Sequence, residues 1–371
     1  MRVAVIVEQF WHPVPGGTGR ATHKTIRALQ RAGGVELVGI AARHGDQGSG
    51  PDADSHDLTI PVVQSRLPRP LLYEGWLRLG RPRTTRLAEP LDVVWASAMV
   101  PPPASSVPMV STVHDLEFLD HPEWNSARGR TFFPRAFAAT MKRSQIIVTP
   151  SQHVADRCVR AGIPADRLRV VPWGVSKSRV HRREVDEVRA NYDLPDRFVL
   201  WVGTLEPRKN LAGLVQAMAT VDAPLVVVGP DGWASDGTDI LRPLGDRCHR
   251  LGRVSDRDLH LLYAAASVFA FPSHAEGFGL PVLEAMAQGT PVVTSSGTAT
   301  AEAAGGAALL VNPADPEAIA AALNEVLQKT SLAEELRVKG LARASEMSWD
   351  RTAVGYLEAF RSAHNRRGSR D

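Results

Sequence analysis

The sequence predicts an α/β protein with two domains, each built on a mainly parallel β-sheet. The chain has 371 residues, which is more than one ordinary domain holds and comfortable for two. Two series of alternating strand and helix patterns run along it, and each has a glycine turn after its first strand. A strand, a glycine loop, a helix and a second strand also follow one another over residues 268–294. This order is typical of βαβ units in Rossmann-like domains.

The composition indicates a globular protein of a reducing compartment. Hydrophobic residues make up 44% of the chain and charged residues 22%, and the two cysteines lack any metal-ligand spacing. We therefore expect no disulfide framework, no metal site and a cytoplasmic location. The first residues, MRVAVIVEQFW, predict a strand and not a signal peptide, and no apolar run is long enough to span a membrane.

Positive charge is concentrated in the first half of the chain. Residues 1–180 hold 23 Lys and Arg against 15 Asp and Glu, whereas the remaining residues hold 20 against 25. Residues 65–87 interleave apolar residues at near-helical spacing with Arg66, Arg69, Arg78, Arg81, Arg83 and Arg86. This pattern suits an anionic membrane surface or a lipid-phosphate acceptor, and equally a helix packed on the first domain with a solvated basic rim. No nucleic-acid-binding motif accompanies it, so we expect no nucleic-acid partner.

A glycine turn follows the first predicted strand, residues 2–7. It contains Gly16, Gly17 and Gly19, and a helical pattern follows over residues 20–32. The turn lacks the third glycine of a dinucleotide fingerprint and the lysine of a Walker loop. It therefore indicates either a turn that faces a ligand or one needed only for packing.

His114 lies where α/β sheets place their ligands. It follows a strand predicted over residues 109–113, has Asp115 beside it, and would lie at the carboxyl end of that strand. A structural histidine is the alternative. Asp52 and Asp54 instead follow a polar, glycine-containing stretch, which favours a solvated loop over a metal-binding DxD motif.

Two adjacent cations follow the first strand of the second domain. Residues 199–202 predict that strand, and GTLEPRKN comes next, with Gly203 in the turn and Arg208 and Lys209 before a helix from Leu211. Backbone N–H groups at a helix start, together with neighbouring cations, form a pattern that binds phosphate. A solvated cationic turn is the alternative.

Two acidic residues bracket the glycine loop near residue 278. Glu276 lies in the loop, directly before Gly277-Phe278-Gly279, and Glu284 lies on the helix that follows. The spacing sets the two carboxylates about two helical turns apart, so both can face one ligand at different depths. An ordinary βαβ turn with solvated acids is the alternative.

Glu276 and Glu284, with seven residues between them, resemble the EX7E signature of retaining glycosyltransferases with the GT-B fold. The stretches PSHAEGFGLPVLEAMAQGTPVV, GTLEPRKN and VTPSQHVADRCVRAGIPADRLRVVPWGV resemble glycosyltransferase family 4. The resemblance implies two Rossmann-like domains that face each other across a central cleft, with a C-terminal helix that crosses back to the first domain. It implies an acceptor-binding domain over residues 1–176, a linker over 177–197, a domain for the nucleotide-sugar donor over 198–347, and the crossover helix and tail over 348–371.

The resemblance also implies roles for individual residues. The implied catalytic residues are Glu276, which would meet the donor sugar, His114 on the acceptor side, and Arg208 and Lys209 at the diphosphate. The implied donor-binding residues are Gly16, Gly17, Gly203, Arg208, Lys209, Val254, Phe278, Gly279, Leu280 and Glu284. Among these, Glu284 would bind the ribose, and the backbone near Val254 would meet the base. No cofactor is expected, because the nucleotide sugar is a substrate.

The implied activity is that of a hexosyltransferase. It would move a hexose, with retention and without a metal, from a GDP- or UDP-linked sugar to a glycan, lipid-linked or phosphorylated acceptor in cell-envelope glycan synthesis. The wording VGTLEPRKN favours mannose, and the basic first half fits an acceptor at the inner face of the membrane. The alternatives are a nucleotide-sugar epimerase of the same fold and an inactive nucleotide-binding relative. An oxidoreductase is disfavoured, because the strand at 35–41 ends without the acidic residue expected for an NAD ribose.

Overall fold

The computed structural model describes residues 1–12, 16–44, 58–100, 107–176, 178–231 and 237–366. The chain divides into two compact units. Unit 1 comprises Met1–Gly174 and the C-terminal segment from Trp349, and unit 2 comprises Val175–Ser348. The loop with Asp52 and Asp54 and the tail after residue 366 lie outside the described residues. In the described part of the chain, no helix combines the length and the hydropathy needed to cross a membrane.

Unit 1 is built on a seven-stranded parallel sheet. Its strands are β1 (Arg2–Ile6), β2 (Glu36–Ala41), β3 (Val62–Gln64), β4 (Val93–Ala96), β5 (Met109–Thr112), β6 (Ile146–Thr149) and β7 (Leu168–Val170). They are arranged in the order β3-β2-β1-β4-β5-β6-β7, and every pairing is parallel. The order reverses between β1 and β4, which is the switch point where doubly wound sheets bind ligands.

Helices cover both faces of this sheet. They are α1 (Gly16–Ala32), α2 (Arg69–Glu74), α3 (Glu117–Asp120), α4 (Ala127–Arg143) and α5 (Gln152–Arg160). A five-residue π-helical segment, Gly75–Leu79, continues α2. Leu72 and Trp76 of this continuous stretch are fully buried, in one cluster with Ala4 and Ile6 of β1. Because side chains alternate along a strand, that cluster occupies one face of the sheet.

The C-terminal helix of the described chain belongs to unit 1. This helix is labelled α14 and spans Trp349–Asn365. Its Tyr356 hydroxyl lies 3.0 Å from the Thr112 hydroxyl at the end of β5, and its ring contacts Trp95 of β4 at a centroid distance of 4.7 Å. Thr352 donates a hydrogen bond of 2.8 Å to the Pro172 carbonyl. The last helix therefore completes the core of the first domain, as the sequence predicts.

Unit 2 is built on a six-stranded parallel sheet with the order β10-β9-β8-β11-β12-β13. Its strands are β8 (Val199–Val202), β9 (Leu225–Val228), β10 (Cys248–Gly252), β11 (Val268–Phe271), β12 (Val292–Ser295) and β13 (Leu309–Val311). Its helices are α6 (Arg182–Asn191), α7 (Leu211–Ala217), α8 (Gly237–Leu241), α9 (Asp256–Ala265), α10 (Leu280–Ala287), α11 (Ala299–Ala304), α12 (Pro316–Gln328) and α13 (Thr330–Glu346). Two Rossmann-like parallel-sheet units confirm the predicted fold class.

Two local elements differ from the sequence prediction. Helix α1 begins at Gly16 and not at Arg20, so Gly16 and Gly17 occupy its first turn instead of a preceding loop. Glycine is a poor helix former, and a run of glycines therefore reads as a turn in the sequence. Residues 177–197, predicted as a linker, contain α6, which belongs to unit 2 and buries only Val188. A helix with so small an apolar face leaves little periodic signal.

Candidate active site

Asn210 organises the carboxyl-end loops of unit 2. Its backbone is left-handed, with φ 53°, and its side chain caps α7 by accepting a hydrogen bond of 3.2 Å from the Gly213 N–H. Its amide nitrogen also donates to the Pro272 carbonyl at 2.9 Å and to the Pro313 carbonyl at 2.6 Å. One side chain thus joins the loops that follow β8, β11 and β13. This junction places the two cations before Asn210 beside the glycine loop after β11.

Both cations of GTLEPRKN bind the carboxylate of Glu276. Lys209 Nζ lies 2.7 Å from Glu276 Oε1, and a terminal nitrogen of Arg208 lies 3.2 Å from the same oxygen. The side chains of Lys209 and Glu276 are each 11% exposed, whereas the Arg208 side chain is 25% exposed. Lys209 Nζ also lies 4.9 Å from the centre of the Phe271 ring, within the range of a cation–π contact. The sequence predicted all three charged residues, and the structure brings them together.

The charge state of Glu276 follows from this arrangement. Burial by itself would raise the pKa of the Glu276 carboxyl, but the adjacent charges of Lys209 and Arg208 outweigh it and hold the pKa below its ordinary value. Glu276 is therefore ionised at neutral pH. Arg208 is held further by Glu206, whose carboxylate accepts a hydrogen bond of 2.9 Å from the Arg208 Nε.

Gly203 makes room for the Lys209 side chain, and Gly229 makes room for the backbone of Gly203. A Cβ added at Gly203 would lie 2.7 Å from Lys209 Cδ, so any side chain there displaces the lysine stem. A Cβ added at Gly229 would lie 2.0 Å from the Gly203 carbonyl oxygen, and Gly229 has a positive φ of 139°. The turn after β8 therefore needs glycine for close approach, at a position where the sequence predicted an anion-binding turn.

Glu284 lies on the helix that begins at the glycine loop. Gly279 precedes α10 with φ 98°, and a Cβ there would lie 2.9 Å from Thr300 Cγ2, so the helix start also requires glycine. Glu284 is 6% exposed, and its Oε2 accepts a hydrogen bond of 3.3 Å from the Tyr263 hydroxyl of α9. Phe278 is 2% exposed and Leu280 is 7% exposed, so both residues are buried at the start of α10.

The remaining predicted residues lie elsewhere in the two units. Val254 lies between β10 and α9 of unit 2 and is partly exposed. His114 follows β5 of unit 1, where one ring nitrogen, Nε2, lies 2.7 Å from the Ser97 carbonyl and therefore carries the donated proton. Burial lowers the pKa of His114 against the opposing influence of that hydrogen bond, so the ring is neutral at pH 7. Gly16 and Gly17 are exposed on α1.

Glu8 of unit 1 is a candidate ligand-binding residue that the sequence did not predict. It lies two residues after the end of β1, is 1% exposed, and accepts a hydrogen bond of 2.7 Å from the Ala42 N–H after β2. His44 Nε2 lies 3.1 Å from the same carboxylate, and the His44 ring stacks on Trp11 at 4.6 Å. An acidic residue immediately after the strand predicted over residues 2–7 is the signal for this position in the sequence. It is less conspicuous than the glycine turn that follows it.

Tyr263 and Asn210 were also missed. Both residues act by forming hydrogen bonds to other residues of the site. In the sequence, Tyr263 lies among leucine and alanine residues, a pattern that predicts a core position. Asn210 lies inside GTLEPRKN, but its bonds to the loops after β11 and β13 depend on tertiary structure.

The two parallel-sheet units are those of the GT-B fold. One solved structure of that kind is Anabaena HepE in complex with UDP and glucose. It matches 98% of this chain and all of its own with a TM-score of 0.77 and 18% identity. At 18% identity, this similarity shows a shared fold and no more.

The chain belongs to glycosyltransferase family 4. The family model described as Glycosyltransferase Family 4 matches residues 15–179, and the model described as Glycosyl transferases group 1 matches residues 183–343. The O-antigen chain mannosyltransferase B of Escherichia coli is 30% identical over 97% of this chain and 100% of its own. The serotype-specific mannosyltransferase WbdA of Escherichia coli is 29% identical over 70% of this chain, which spans only 34% of WbdA. The chain is therefore an enzyme of the hexosyltransferase class.

Proposed function

We propose that the enzyme transfers a hexose, with mannose favoured, from a nucleoside-diphosphate sugar to an acceptor hydroxyl with retention of configuration. The observation that carries the proposal is the buried cluster in which Arg208 and Lys209 share one oxygen of Glu276. The mannosyltransferase names of two relatives support the sugar. The UDP held by a protein of the same fold supports a nucleoside diphosphate as the carrier, and both GDP and UDP remain candidates.

Arg208 and Lys209 would stabilise the leaving diphosphate. The glycosidic bond breaks toward the phosphate, which gains negative charge, and preorganised cations in a poorly solvated site stabilise that charge most effectively. The two cations just before α7 would meet this requirement, and we propose that transfer is metal-independent. The arriving diphosphate would share the two cations with Glu276, which couples donor binding to the carboxylate that meets the sugar.

Glu276 would position the sugar and would not act as a nucleophile. A carboxylate held by two cations has its charge stabilised, and its low pKa makes it a weak nucleophile. Retention would then proceed by front-face substitution, in which the acceptor oxygen bonds to the anomeric carbon on the side from which the diphosphate leaves. The departing phosphate oxygen takes the acceptor's proton. Glu284, oriented by the Tyr263 hydroxyl, would accept hydrogen bonds from the ribose hydroxyls.

The acceptor would bind unit 1, on the loops at the carboxyl ends of its strands. His114 would face the acceptor hydroxyl region as a neutral ring. The concentration of positive charge in residues 1–180 supports a lipid-linked or phosphorylated acceptor. We place the enzyme in the cytoplasm, at the inner face of the membrane, with a role in cell-envelope glycan synthesis.

A transfer assay tests the proposal. The protein is incubated with GDP-mannose, UDP-glucose and other nucleotide sugars in EDTA, with octyl mannoside or octyl glucoside as the acceptor. The expected result is a new α-linked glycoside from one α-linked donor, with no loss of rate in EDTA. The one-bond coupling constant between C1 and H1 of the transferred sugar identifies the anomer. An inverted product or dependence on a divalent metal would contradict the mechanism. Donor epimerised without acceptor would identify an epimerase, and donor bound without turnover would identify an inactive relative.

A further inference from the structure

Within the arginine-rich stretch of residues 65–87, residues 69–79 form one continuous helical segment with two distinct faces. Its inner face is anchored by Leu72 and Trp76, both 0% exposed. Its outer face carries Leu71 and Leu79, which are 59% and 76% exposed. Among the residues that the structure describes, no other large hydrophobic side chain is as exposed as Leu79. Because the inner face packs into the core of unit 1, the two outer leucines contribute little to the buried core and remain largely exposed to solvent.

A groove of about 600 Å³ runs beside this segment, between it and the loop that follows. Its apolar wall includes Leu71 and Leu79, and the loop contributes Arg81, Arg83 and Arg86. Below we call these five residues the basic groove. Its three arginines are exposed, and none of them takes part in an ion pair within the described ranges.

The acidic charge near the groove is already neutralised. Glu74 lies on the groove wall, but Arg78 Nε lies 2.6 Å from its carboxylate and Arg135 lies 3.1 Å from it. These two partners hold the pKa of Glu74 below its ordinary value, with Arg135 the larger influence. The basic groove therefore presents a net positive charge beside exposed apolar side chains.

We propose that the basic groove docks unit 1 on a bilayer that contains anionic phospholipid. Its arginines would bind lipid phosphates, and Leu71 and Leu79 would enter the boundary between headgroups and acyl chains. The groove combines exposed cations with exposed leucines, and this combination matches that interface in both charge and polarity. A nucleic acid would use the arginines and leave the leucines in water. The inference deepens the proposed membrane-borne acceptor, and it is measured without donor or acceptor, so its failure is separate from a failure of transfer.

Vesicle flotation tests the proposal with the full chain. Wild-type protein is expected to float with vesicles of phosphatidylglycerol and phosphatidylethanolamine and to stay behind with pure phosphatidylcholine. Because each arginine near an anionic surface contributes about 1 kcal/mol, the triple variant Arg81→Gln, Arg83→Gln, Arg86→Gln should lose affinity by on the order of 100-fold. The double variant Leu71→Ser, Leu79→Ser should also bind anionic vesicles more weakly than wild type. Because salt screens charges and leaves apolar contacts intact, this difference from wild type should persist at high salt. Replacement of the three arginines by lysine should retain most of the binding.

Matched control variants distinguish a specific contribution of the basic groove from a general effect of net charge or of exposed hydrophobic side chains. Arg27, Arg160 and Arg361 are exposed arginines outside the basic groove, and their change to glutamine alters the net charge equally. Leu310 and Val338 of unit 2 are 47% and 54% exposed and match the leucines. The proposal is overturned if the control variants lose binding as much as the groove variants. It is also overturned if wild type binds neutral vesicles equally well, or if the leucine variant binds anionic vesicles as wild type does.

Discussion

Lys209 Nζ lies 2.7 Å from Glu276 Oε1, and each of the two side chains is only 11% exposed. The two residues are 67 positions apart in the sequence, in loops that follow β8 and β11. Removing one charge of such a pair leaves the other buried without compensation, which costs more than removing both. The pair therefore connects the stability of unit 2 to its proposed chemistry.

Glu276→Ala is expected to destabilise unit 2 and to abolish transfer. The unfolding free energy should fall by about 3–5 kcal/mol, because Lys209 is left buried without its counter-charge. The double variant Lys209→Met, Glu276→Leu should recover much of that stability and remain inactive. Urea denaturation and the transfer assay measure the two effects. A stable single variant, or an active double variant, would contradict the dual role of the pair.

Arg208→Ala is expected to weaken donor binding with little change in stability, since its side chain is 25% exposed. Loss of a charge-assisted hydrogen bond of about 1.5–3 kcal/mol predicts a rise in Kd for the nucleoside diphosphate of about 10- to 150-fold. The ligand-induced rise in Tm of wild type should shrink accordingly. Arg242→Ala is the control, because Arg242 is exposed and pairs only with Asp239 among the described residues. Equal shifts in the two variants would remove Arg208 from the donor site.

Alanine at Gly229 and at Gly203 should have different consequences. At Gly229 the added Cβ meets the rigid Gly203 carbonyl at 2.0 Å, so a loss of about 3 kcal/mol or more in stability is expected. At Gly203 it meets the flexible Lys209 stem, so activity should fall more than stability. Gly33→Ala has a positive φ without any contact within 4 Å and measures the backbone cost alone, about 1 kcal/mol. If Gly203→Ala keeps full activity, the position of Lys209 is not critical.

Stability should fall on acidification in two separate ranges of pH. The pKa of His114 is lowered in the folded state, so the unfolded chain binds more protons as the pH falls below about 6.5. His114→Gln should flatten the stability curve in that range, as measured by denaturation at pH 5–8. The pKa of Glu276 is also lowered, so its contribution is present above its ordinary value and is lost only at lower pH. An unchanged slope in His114→Gln would show that the ring does not titrate with unfolding.

The sequence was most informative where apolar runs are short and followed by a glycine or a proline. The predicted strands at 199–202 and 268–271 coincide with β8 and β11, because buried parallel strands leave continuous apolar runs. Helix boundaries were less predictable. Helix α4 begins at Ala127, where Ser126 caps it by accepting from the Gly129 N–H, although Pro134 suggests a later start. Its cap satisfies local hydrogen bonds that periodicity does not register.

For the candidate site, the sequence predicted the types of residue and not their pairing. The cations in GTLEPRKN and the acids near residue 280 were visible as motifs, and the resemblance supplied their roles. That both cations bind the same oxygen of Glu276 depends on how Asn210 joins three loops. Such convergence is a tertiary property, set by strand order and by hydrogen bonds between residues 62 and 103 positions apart.

The return of α14 to unit 1 has a consequence for biosynthesis. The ribosome makes residues 1–174 first, but Trp95 and Thr112 acquire their Tyr356 contacts only after all of unit 2 has emerged. Unit 2 is continuous in the chain and can fold as soon as it leaves the exit tunnel. The first domain to be translated is therefore the last to be finished, and in the interval its sheet exposes apolar surface that a chaperone would recognise.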